Sequence, residues 1–357
     1  MKKKIAVGLS GGIDSSVAAF LLKKDGWEVV GVTLKFYSRD SRCCDHESLY
    51  QAQRLCQTLD IPHHVLDVKD VFEKDIIQKF INTYLSGFTP NPCVWCNRLV
   101  KFGWLMEKLR SWGIEYLATG HYARTIERDG QILFRQAVDE KKSQEYFLCL
   151  VDRGITANLV FPLGGYVKPR VKEVARENSL FFIDRPESQD VCFIKGEPYG
   201  KFIERHAGDV SKYSGQIRHV NGQVLGRHNG IYNFTCGQRE GLGISWKEPL
   251  YVVAIDSESK SVVVGEKKFA FHKSFYVDHL NWFIDPKDLA GLKVRVRYNC
   301  PFYSCVIKME NDVALVFLDE EVFGIASGQI ACFYRDDAVV GGGVIGVNNP
   351  MDEGAKF

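Results

Sequence analysis

The sequence predicts an α/β domain with a doubly wound parallel sheet, followed by a small β-rich central domain and a C-terminal β-barrel. Strand and helix patterns alternate over residues 1–125, which is typical of a parallel sheet covered by helices. Glycine-rich strand-and-turn patterns replace them after about residue 205. From about residue 265, most segments alternate with period two, as barrel strands do. We therefore expect domains at 1–204, 205–264 and 265–357.

The individual elements follow from the spacing of apolar residues. A short continuous apolar run indicates a buried strand, and apolar residues three or four positions apart indicate a helix. Asp129-Gly130 is a typical hairpin turn, which predicts a hairpin over 126–136. Strands are expected at 5–9, 28–34, 63–68, 114–119, 292–298, 313–318 and 329–334, helices at 48–59, 71–85, 98–112, 144–160 and 169–179, and a bulge or tight bend at 341–343.

The composition is that of an ordinary globular protein. The 357 residues are 45% hydrophobic and 25% charged, with a net charge of +2, which neither indicates nor excludes nucleic-acid binding. The sequence contains no apolar run of about 18 residues and no signal-peptide pattern, so we expect a cytoplasmic protein without a membrane span. In that compartment the eleven cysteines are not a disulfide framework. Most should be buried as small apolar residues.

The junction between the first strand and the first helix predicts a phosphate-binding loop. Residues 10–16 read Ser-Gly-Gly-Ile-Asp-Ser-Ser and follow the apolar run Ile5–Leu9. Glycines allow an anion to approach the backbone, serines add hydroxyl donors, and the next helix presents its N-terminal N–H groups. The loop lacks the Gly-Lys-Ser/Thr ending of a P-loop. It matches the pyrophosphate loop of the N-type ATP pyrophosphatases, which resemble one another in splitting ATP into AMP and pyrophosphate.

Three cysteines have polar neighbours, unlike the others. Cys93 and Cys96 lie in Thr-Pro-Asn-Pro-Cys-Val-Trp-Cys-Asn, where two prolines predict a stiff extended loop over 89–97. Cys96 would then lie near the N-terminus of the next helix, where the pKa of a thiol is lowered. Cys192 follows Ser-Gln-Asp-Val on a second predicted loop. These three thiols are the candidates for chemistry.

With these motifs the chain resembles the tRNA-specific 2-thiouridylase family, whose members thiolate the wobble uridine of certain tRNAs. The resemblance extends over essentially the whole length. It rests on ordered matches at Gly8–Ser15, Thr89–Asn97, Lys101-Phe102, Ala118–Tyr122, Lys142–Phe147, Cys192–Ile194, Gly237–Gly243, Arg297-Tyr298 and Gly328-Gln329.

The resemblance implies a two-thiol sulfur transfer at wobble position 34. ATP, used with Mg²⁺, adenylates O2 of the uridine, so that AMP becomes the leaving group. Cys192 receives sulfur as a persulfide from a donor protein, either a cysteine desulfurase or a sulfur relay. Cys96 is the nucleophile, and turnover leaves a Cys96–Cys192 disulfide. The implied substrates are tRNAs with Lys, Glu and Gln anticodons.

The same resemblance implies roles for further residues. ATP contacts are implied for Gly8, Leu9, Ser10, Gly11, Gly12, Ile13, Asp14, Ser15, Leu34 and Gly120. Contacts with the target base are implied for Asn91, Pro92 and Cys93. Contacts with tRNA are implied for His121, Lys142, Ser143, Gln144, Arg297, Tyr298 and Gln329.

Position 93 departs from the familiar form of the family, which has Asp where this chain has Cys. A thiol can act as a general base on uracil only when it is ionised, so that role does not carry over directly. Cys93, Cys96 and Cys192 also form a set that could hold a [4Fe-4S] cluster with one open iron. A structural zinc site at Cys43-Cys44 and His46 is a third alternative.

Two other functions are compatible with parts of this sequence. An amidating or ligating synthetase would share the ATP chemistry but would need neither Cys96 nor Cys192. A non-catalytic RNA-binding protein would not need an intact phosphate loop.

Overall fold

The computed structural model describes residues 3–36, 46–180, 191–194 and 196–346. The chain divides into two compact units. The first comprises Met1–Ile76, Cys93–Gly196 and Asp337–Val340, and the second comprises Ile77–Pro92, Glu197–Asp336 and Gly341–Phe357.

The first unit is built on a five-stranded sheet in which every pairing is parallel. Its central strand β1 carries Ile5, Ala6 and Val7, all fully buried, as a strand covered on both faces requires. The spatial order is β3-β2-β1-β4-β7, so the order reverses beside β1 and the predicted doubly wound sheet is confirmed. The strands are β1 (Lys4–Gly8), β2 (Glu28–Lys35), β3 (His63–Asp67), β4 (Tyr116–Ala118) and β7 (Leu159–Val160).

Helices surround this sheet, and a hairpin lies beyond it. Val17 of α1 packs with Val171 of α7 in the core cluster that also contains Ile5 and Val7. The helical segments along this part of the chain are α1 (Ile13–Lys24), α2 (His46–Thr58), α3 (Lys69–Phe72), a π-helical turn (Glu73–Ile77), α5 (Pro92–Cys96), a π-helical segment (Asn97–Trp104), α6 (Leu105–Arg110) and α7 (Lys168–Glu177), and the hairpin strands are β5 (Arg124–Arg128) and β6 (Gln131–Arg135).

The predicted helix over 144–160 is wrong. The chain there forms two 3₁₀ turns, Glu145–Leu148 and Arg153–Asn158, and then strand β7. The side chain of Asp152 accepts a hydrogen bond from the backbone N–H of Gly154 (2.7 Å), and this local bond competes with a helical one. Gly154 further weakens a helix at this point.

The second unit contains a four-stranded sheet with a core of its own. Ile217, Val252, Val262 and Val264 are buried in this core. Tyr84 of α4 stacks on Tyr199 of α8, with ring centroids 4.6 Å apart. The elements are α4 (Gln78–Leu85), α8 (Tyr199–Ala207), β8 (Gly215–His219), β9 (Val224–His228), β10 (Leu250–Asp256) and β11 (Ser261–Glu266), with the strands in the order β10-β11-β8-β9.

The second unit also contains the predicted β-barrel. Its strands run in the order β12-β15-β14-β13-β16-β17, and pairing of β12 with β17 closes the barrel. The first residues of β17, Ala338 and Val339, belong to the first unit and pair there with β6. The strands are β12 (Phe271–Trp282), β13 (Lys293–Arg295), β14 (Tyr303–Glu310), β15 (Val313–Phe323), β16 (Ile330–Arg335) and β17 (Ala338–Gly346).

Two details of the barrel differ from the prediction. Strand β13 is shorter than the alternating pattern over 292–298, and Arg297 lies beyond its end. The glycines at 341–343 lie inside β17, and the register shift is on the facing strand, between Asp278 and Asn281. A Cβ at Gly343 would overlap Val277 and the backbone of Asp278, so glycine is needed there for close strand approach. Among the described residues, no helix is both long and apolar enough to cross a bilayer.

Candidate active site

The loop between β1 and α1 is shaped by its glycines and serines. Gly11 has φ +75°, and a Cβ there would overlap the carbonyl oxygen of Ser48, so only glycine fits. Ser15 Oγ donates to the carbonyl oxygen of Gly12 (3.0 Å) and accepts from the backbone N–H of Ser10 (3.2 Å). Gly12 provides no side-chain cap for α1. The first N–H groups of the helix can therefore bind an anion.

Strand β4 ends beside the same loop. A Cβ at Gly120 would lie 2.7 Å from the backbone nitrogen of Ser15 and 2.8 Å from the carbonyl carbon of Asp14, so the two backbones touch. The ends of β1 and β4 thus meet where the strand order reverses. Ligands of doubly wound sheets bind at this position.

A cavity of about 410 Å³ opens there, within the first unit. Its size is within the usual range for small-molecule sites. One part of its wall is the phosphate loop with its N–H and hydroxyl donors, and another is apolar, with Val32, Leu34, Phe36 and Leu105. The arrangement suits a ligand with an aromatic ring and a phosphate chain. The wall includes every residue predicted to contact ATP, namely Gly8, Leu9, Ser10, Gly11, Gly12, Ile13, Asp14, Ser15, Leu34 and Gly120.

The cavity wall also holds a charged pair that the sequence did not reveal. Lys168 Nζ lies 2.8 and 2.7 Å from the two carboxylate oxygens of Asp14. The hydroxyl of Tyr122 donates to the same carboxylate (2.8 Å). The side chain of Lys168 is only 12% exposed. An ammonium group is therefore held beside the phosphate loop, where it can neutralise phosphate charge.

His121, predicted to contact tRNA, lies on the wall of this cavity. Its Nδ1 is 2.6 Å from the hydroxyl of Thr119, and its ring lies 5.7 Å from that of Phe102. Burial lowers the pKa of His121 to about 3, and the charge of Lys101 adds to this effect. The imidazole is therefore neutral at physiological pH, and the cavity gains no cation from it.

We expect the imidazole signal of His121 to show no titration between pH 5 and 8 in NMR spectra. In the urea-unfolded protein the same ring should titrate near pH 6.5, the ordinary value. Below pH 6.5 the unfolded chain binds a proton at His121 that the folded protein does not bind. The free energy of unfolding should therefore decrease as the pH falls from 6.5 towards 3. A midpoint near 6.5 in the folded protein would contradict this placement.

The three predicted tRNA contacts at 142–144 differ in their surroundings. Ser143 is buried, and its hydroxyl accepts from the N–H of Ala137 (2.7 Å) and donates to the carboxylate of Glu145 (2.5 Å). Gln144 accepts from the N–H of Tyr122 (3.0 Å) and lines the cavity. Lys142 is half-buried in a short 3₁₀ turn. The structure thus places Gln144 with the predicted ATP residues and Ser143 in the interior.

The extended loop predicted over 89–97 is wrong in its second half. Helix α5 begins at Pro92, where a proline at the first helical position needs no N–H partner and has a suitable φ. Cys93 is exposed in the first turn, whereas Cys96 is only 6% exposed at the end of α5. The amide of the next residue, Asn97, donates to the carbonyl oxygen of Phe147 (3.0 Å), and both residues belong to the first unit.

Cys192 is half-buried and belongs to the same unit as Cys93 and Cys96. The ring of the next residue, Phe193, packs edge-on against Phe72, with centroids 5.7 Å apart. Phe72 in turn packs against Phe36 (4.9 Å), which lines the cavity. Three aromatic rings in contact therefore link the segment that carries Cys192 to the cavity wall. Residues 181–190, which precede this segment, lie outside the described part of the chain.

Comparison with protein families agrees with this architecture. Residues 3–196 match the family model described as tRNA methyl transferase HUP domain, residues 200–266 the PRC-barrel domain of that name, and residues 272–345 an aminomethyltransferase β-barrel domain. A tRNA-specific 2-thiouridylase from Wolbachia sp. subsp. Brugia malayi is 40% identical over 96% of this chain and 94% of its own length. The chain belongs to the tRNA-specific 2-thiouridylase family.

Other curated 2-thiouridylases are similar over a comparable length. That of Pelobacter propionicus is 42% identical over 96% of this chain and 97% of its own, and that of Aquifex aeolicus is 38% identical over 96% and 98%. Among solved structures, a 4-thiouridine synthetase–RNA complex with bound ATP has a TM-score of 0.36 and 17% identity, over 57% of this chain and 50% of that one.

In this 2-thiouridylase family member, three residues of the second unit are predicted to contact tRNA. They have partners within the protein. Arg297 donates to the carbonyl oxygens of Cys236 (3.1 Å) and Gly324. Tyr298 is half-buried beside it. The amide of Gln329 donates to the carbonyl oxygens of Thr89 (3.1 Å) and Pro90 (3.2 Å). Their role toward tRNA stays a prediction.

The alternative of an iron–sulfur cluster does not fit this geometry. Over residues 3–36, 46–180, 191–194 and 196–346, no three Cys, His, Asp or Glu side chains lie close enough together to hold a metal ion. Cys93, Cys96 and Cys192 are all within these ranges, and they do not form such a set. Cys43 and Cys44 of the zinc alternative lie outside the described residues.

Proposed function

We propose that this chain converts the wobble uridine of tRNA to 2-thiouridine, using ATP to activate the base and two cysteines to deliver sulfur. The proposal rests on the cavity that contains the phosphate loop, at the point where the strand order of the sheet reverses. Aromatic contacts link the Cys192 segment to the wall of this cavity. The curated relatives named 2-thiouridylase support the same reaction.

The first step joins the base to AMP. The O2 atom of uridine attacks the α-phosphorus of ATP, and pyrophosphate leaves. The N–H groups at the start of α1 and the ammonium of Lys168 face the charge that develops on the phosphates. Asp14 is the one carboxylate among the described residues that line the cavity. One carboxylate together with phosphate oxygens suits Mg²⁺, so Asp14 would hold that ion.

The second step moves sulfur. The outer sulfur of a Cys192 persulfide attacks C2, and AMP leaves with the oxygen. The Cys96 thiolate then attacks the inner sulfur, the S–S bond to the base-bound sulfur breaks, and a Cys96–Cys192 disulfide remains. Alternatively, Cys96 first releases sulfide from the persulfide, and sulfide attacks C2. Both routes end with a disulfide that an external dithiol must reduce.

The partners are those that the resemblance to the 2-thiouridylases implies. We infer that tRNAs with Lys, Glu and Gln anticodons are the substrates and that a cysteine desulfurase or a sulfur-relay protein loads Cys192. The base must leave the anticodon stack to reach a buried nucleotide.

The test is a reconstituted assay with purified protein, an unmodified tRNA transcript, Mg-ATP and a persulfide-generating cysteine desulfurase. We expect one AMP and one pyrophosphate for each 2-thiouridine, identified by mass spectrometry of the nucleosides. Because the matched family models carry methyl-transferase descriptions, the same spectra should be searched for methylated uridine. Methylation that does not depend on ATP, or ATP cleavage to ADP, would refute the proposal.

A further inference from the structure

A turn of the β-barrel holds the segment that precedes Cys93. We call Thr89–Asn91 the prolyl loop and Ala326–Gln329 the barrel turn, and both lie in the second unit. The backbone N–H of Thr89 donates to the carbonyl oxygen of Ser327 (2.8 Å). The amide nitrogen of Gln329 donates to the carbonyl oxygens of Thr89 (3.1 Å) and Pro90 (3.2 Å). Three hydrogen bonds therefore fix two successive residues of the prolyl loop.

The donors of Gln329 are fully used by these bonds. A glutamine side chain has two N–H donors, and both point to the prolyl loop. Only its carbonyl oxygen remains to accept another bond. The predicted role of Gln329 as a tRNA contact therefore competes with a role inside the protein.

Gly328 brings the two segments into direct contact. It has φ +88°, and a Cβ there would lie 2.9 Å from Cβ of Phe88 and 2.9 Å from the backbone nitrogen of Thr89. Any larger residue must displace the prolyl loop and would also be strained at this φ.

The barrel turn is itself anchored to the barrel wall. The N–H of Gly328 donates to the carbonyl oxygen of Ile345 (2.7 Å), and the N–H of Ile345 donates to the carbonyl oxygen of Gln329 (2.8 Å). Ile345 is 1% exposed in β17. On its other side the prolyl loop meets the hydroxyl of Thr235, 3.2 Å from that of Thr89. The barrel thus sets where the prolyl loop lies within this unit.

We propose that Gly328 and Gln329 are positioning residues, which hold the prolyl loop so that Asn91 meets the target uracil, and that their contribution is to turnover rather than to tRNA affinity. This inference rests on the proposed function. A loop displaced by about 1 Å can cost on the order of 100-fold in rate.

The test compares Gln329→Met, which keeps the length of the side chain and removes both donors, with Gly328→Ala. We expect kcat for thiolation at saturating tRNA to fall about 10-fold in Q329M and about 100-fold in G328A. The Kd for tRNA should stay within about twofold in both. Gly222→Ala is the control, because Gly222 has φ +93° in the same unit with no atom within 4 Å of its Cβ position. Its kcat should stay within about twofold of wild type.

If Q329M binds tRNA more weakly and its kcat is unchanged, Gln329 is a tRNA contact and the proposal is overturned. The proposal is also overturned if neither the Kd nor kcat of Q329M changes. Hydrogen exchange separates this inference from the proposed function. The Thr89 amide should exchange at least about 10-fold faster in G328A than in G222A, because its bond to Ser327 is broken. If the wild-type protein makes no 2-thiouridine, the proposed function fails; if Thr89 exchange is equal in the two variants, the positioning role fails.

Discussion

Replacing either Cys96 or Cys192 by serine should abolish 2-thiouridine formation while leaving ATP chemistry intact. A hydroxyl can neither carry sulfane sulfur nor break an S–S bond at neutral pH, so the rate should fall at least about 1,000-fold. Both variants should still release a single-turnover burst of pyrophosphate with tRNA, since the phosphate loop is unchanged. The measurement is thiolated nucleoside and pyrophosphate from the same reaction.

Cys300→Ser is the matched control. Cys300 is half-buried, and its Sγ donates to the carbonyl oxygen of Arg297 (3.1 Å), a bond that a serine hydroxyl can keep. This variant should thiolate at the wild-type rate. Activity retained in C96S or C192S would exclude the two-thiol mechanism, and a lost pyrophosphate burst would mean that the cysteines act on ATP binding.

The phosphate loop could be predicted because its determinants are adjacent in the chain. The apolar run Ile5–Leu9, the glycines and the serines specify a strand, a tight turn and a helix start without help from distant residues. The structure adds why Gly11 and Gly120 are glycines, since each would otherwise overlap a neighbouring backbone. Those contacts join segments far apart in sequence and cannot be read from local pattern.

The same limit explains what the sequence analysis missed. Lys168 stands 154 positions after Asp14, and its only local signal is a position just before Pro169 at the start of a helix. The predicted loop over 89–97 failed because two prolines were taken as extended, whereas Pro92 is the first residue of a helix. The spacing of apolar residues does not reveal that a helix begins at a proline. It also does not reveal an ion pair between two βα connections that are far apart in the sequence.

Lys168 therefore supports a prediction that depends on the structure alone. Lys168→Met keeps most of the apolar stem and removes the ammonium that faces Asp14 and the phosphate loop. We expect kcat/KM for ATP to fall about 100- to 1,000-fold, or about 2.7–4 kcal/mol, the usual loss for one donor to a developing negative charge. The Kd for tRNA should not change. Lys172→Met, on the exposed side of the same helix, should behave as wild type.

Loss of folding is the competing explanation for low activity in K168M, because removing one partner leaves the carboxylate of Asp14 partly buried without its cation. Activity measured well below the Tm of K168M separates the two cases, because the variant is fully folded there and the proposed Mg²⁺ ligand Asp14 is unchanged. If the pair is only structural, kcat/KM for ATP at these temperatures equals that of the wild type. If Lys168 acts on phosphate charge, kcat/KM stays low although the variant is folded. Full activity in K168M would remove Lys168 from the site.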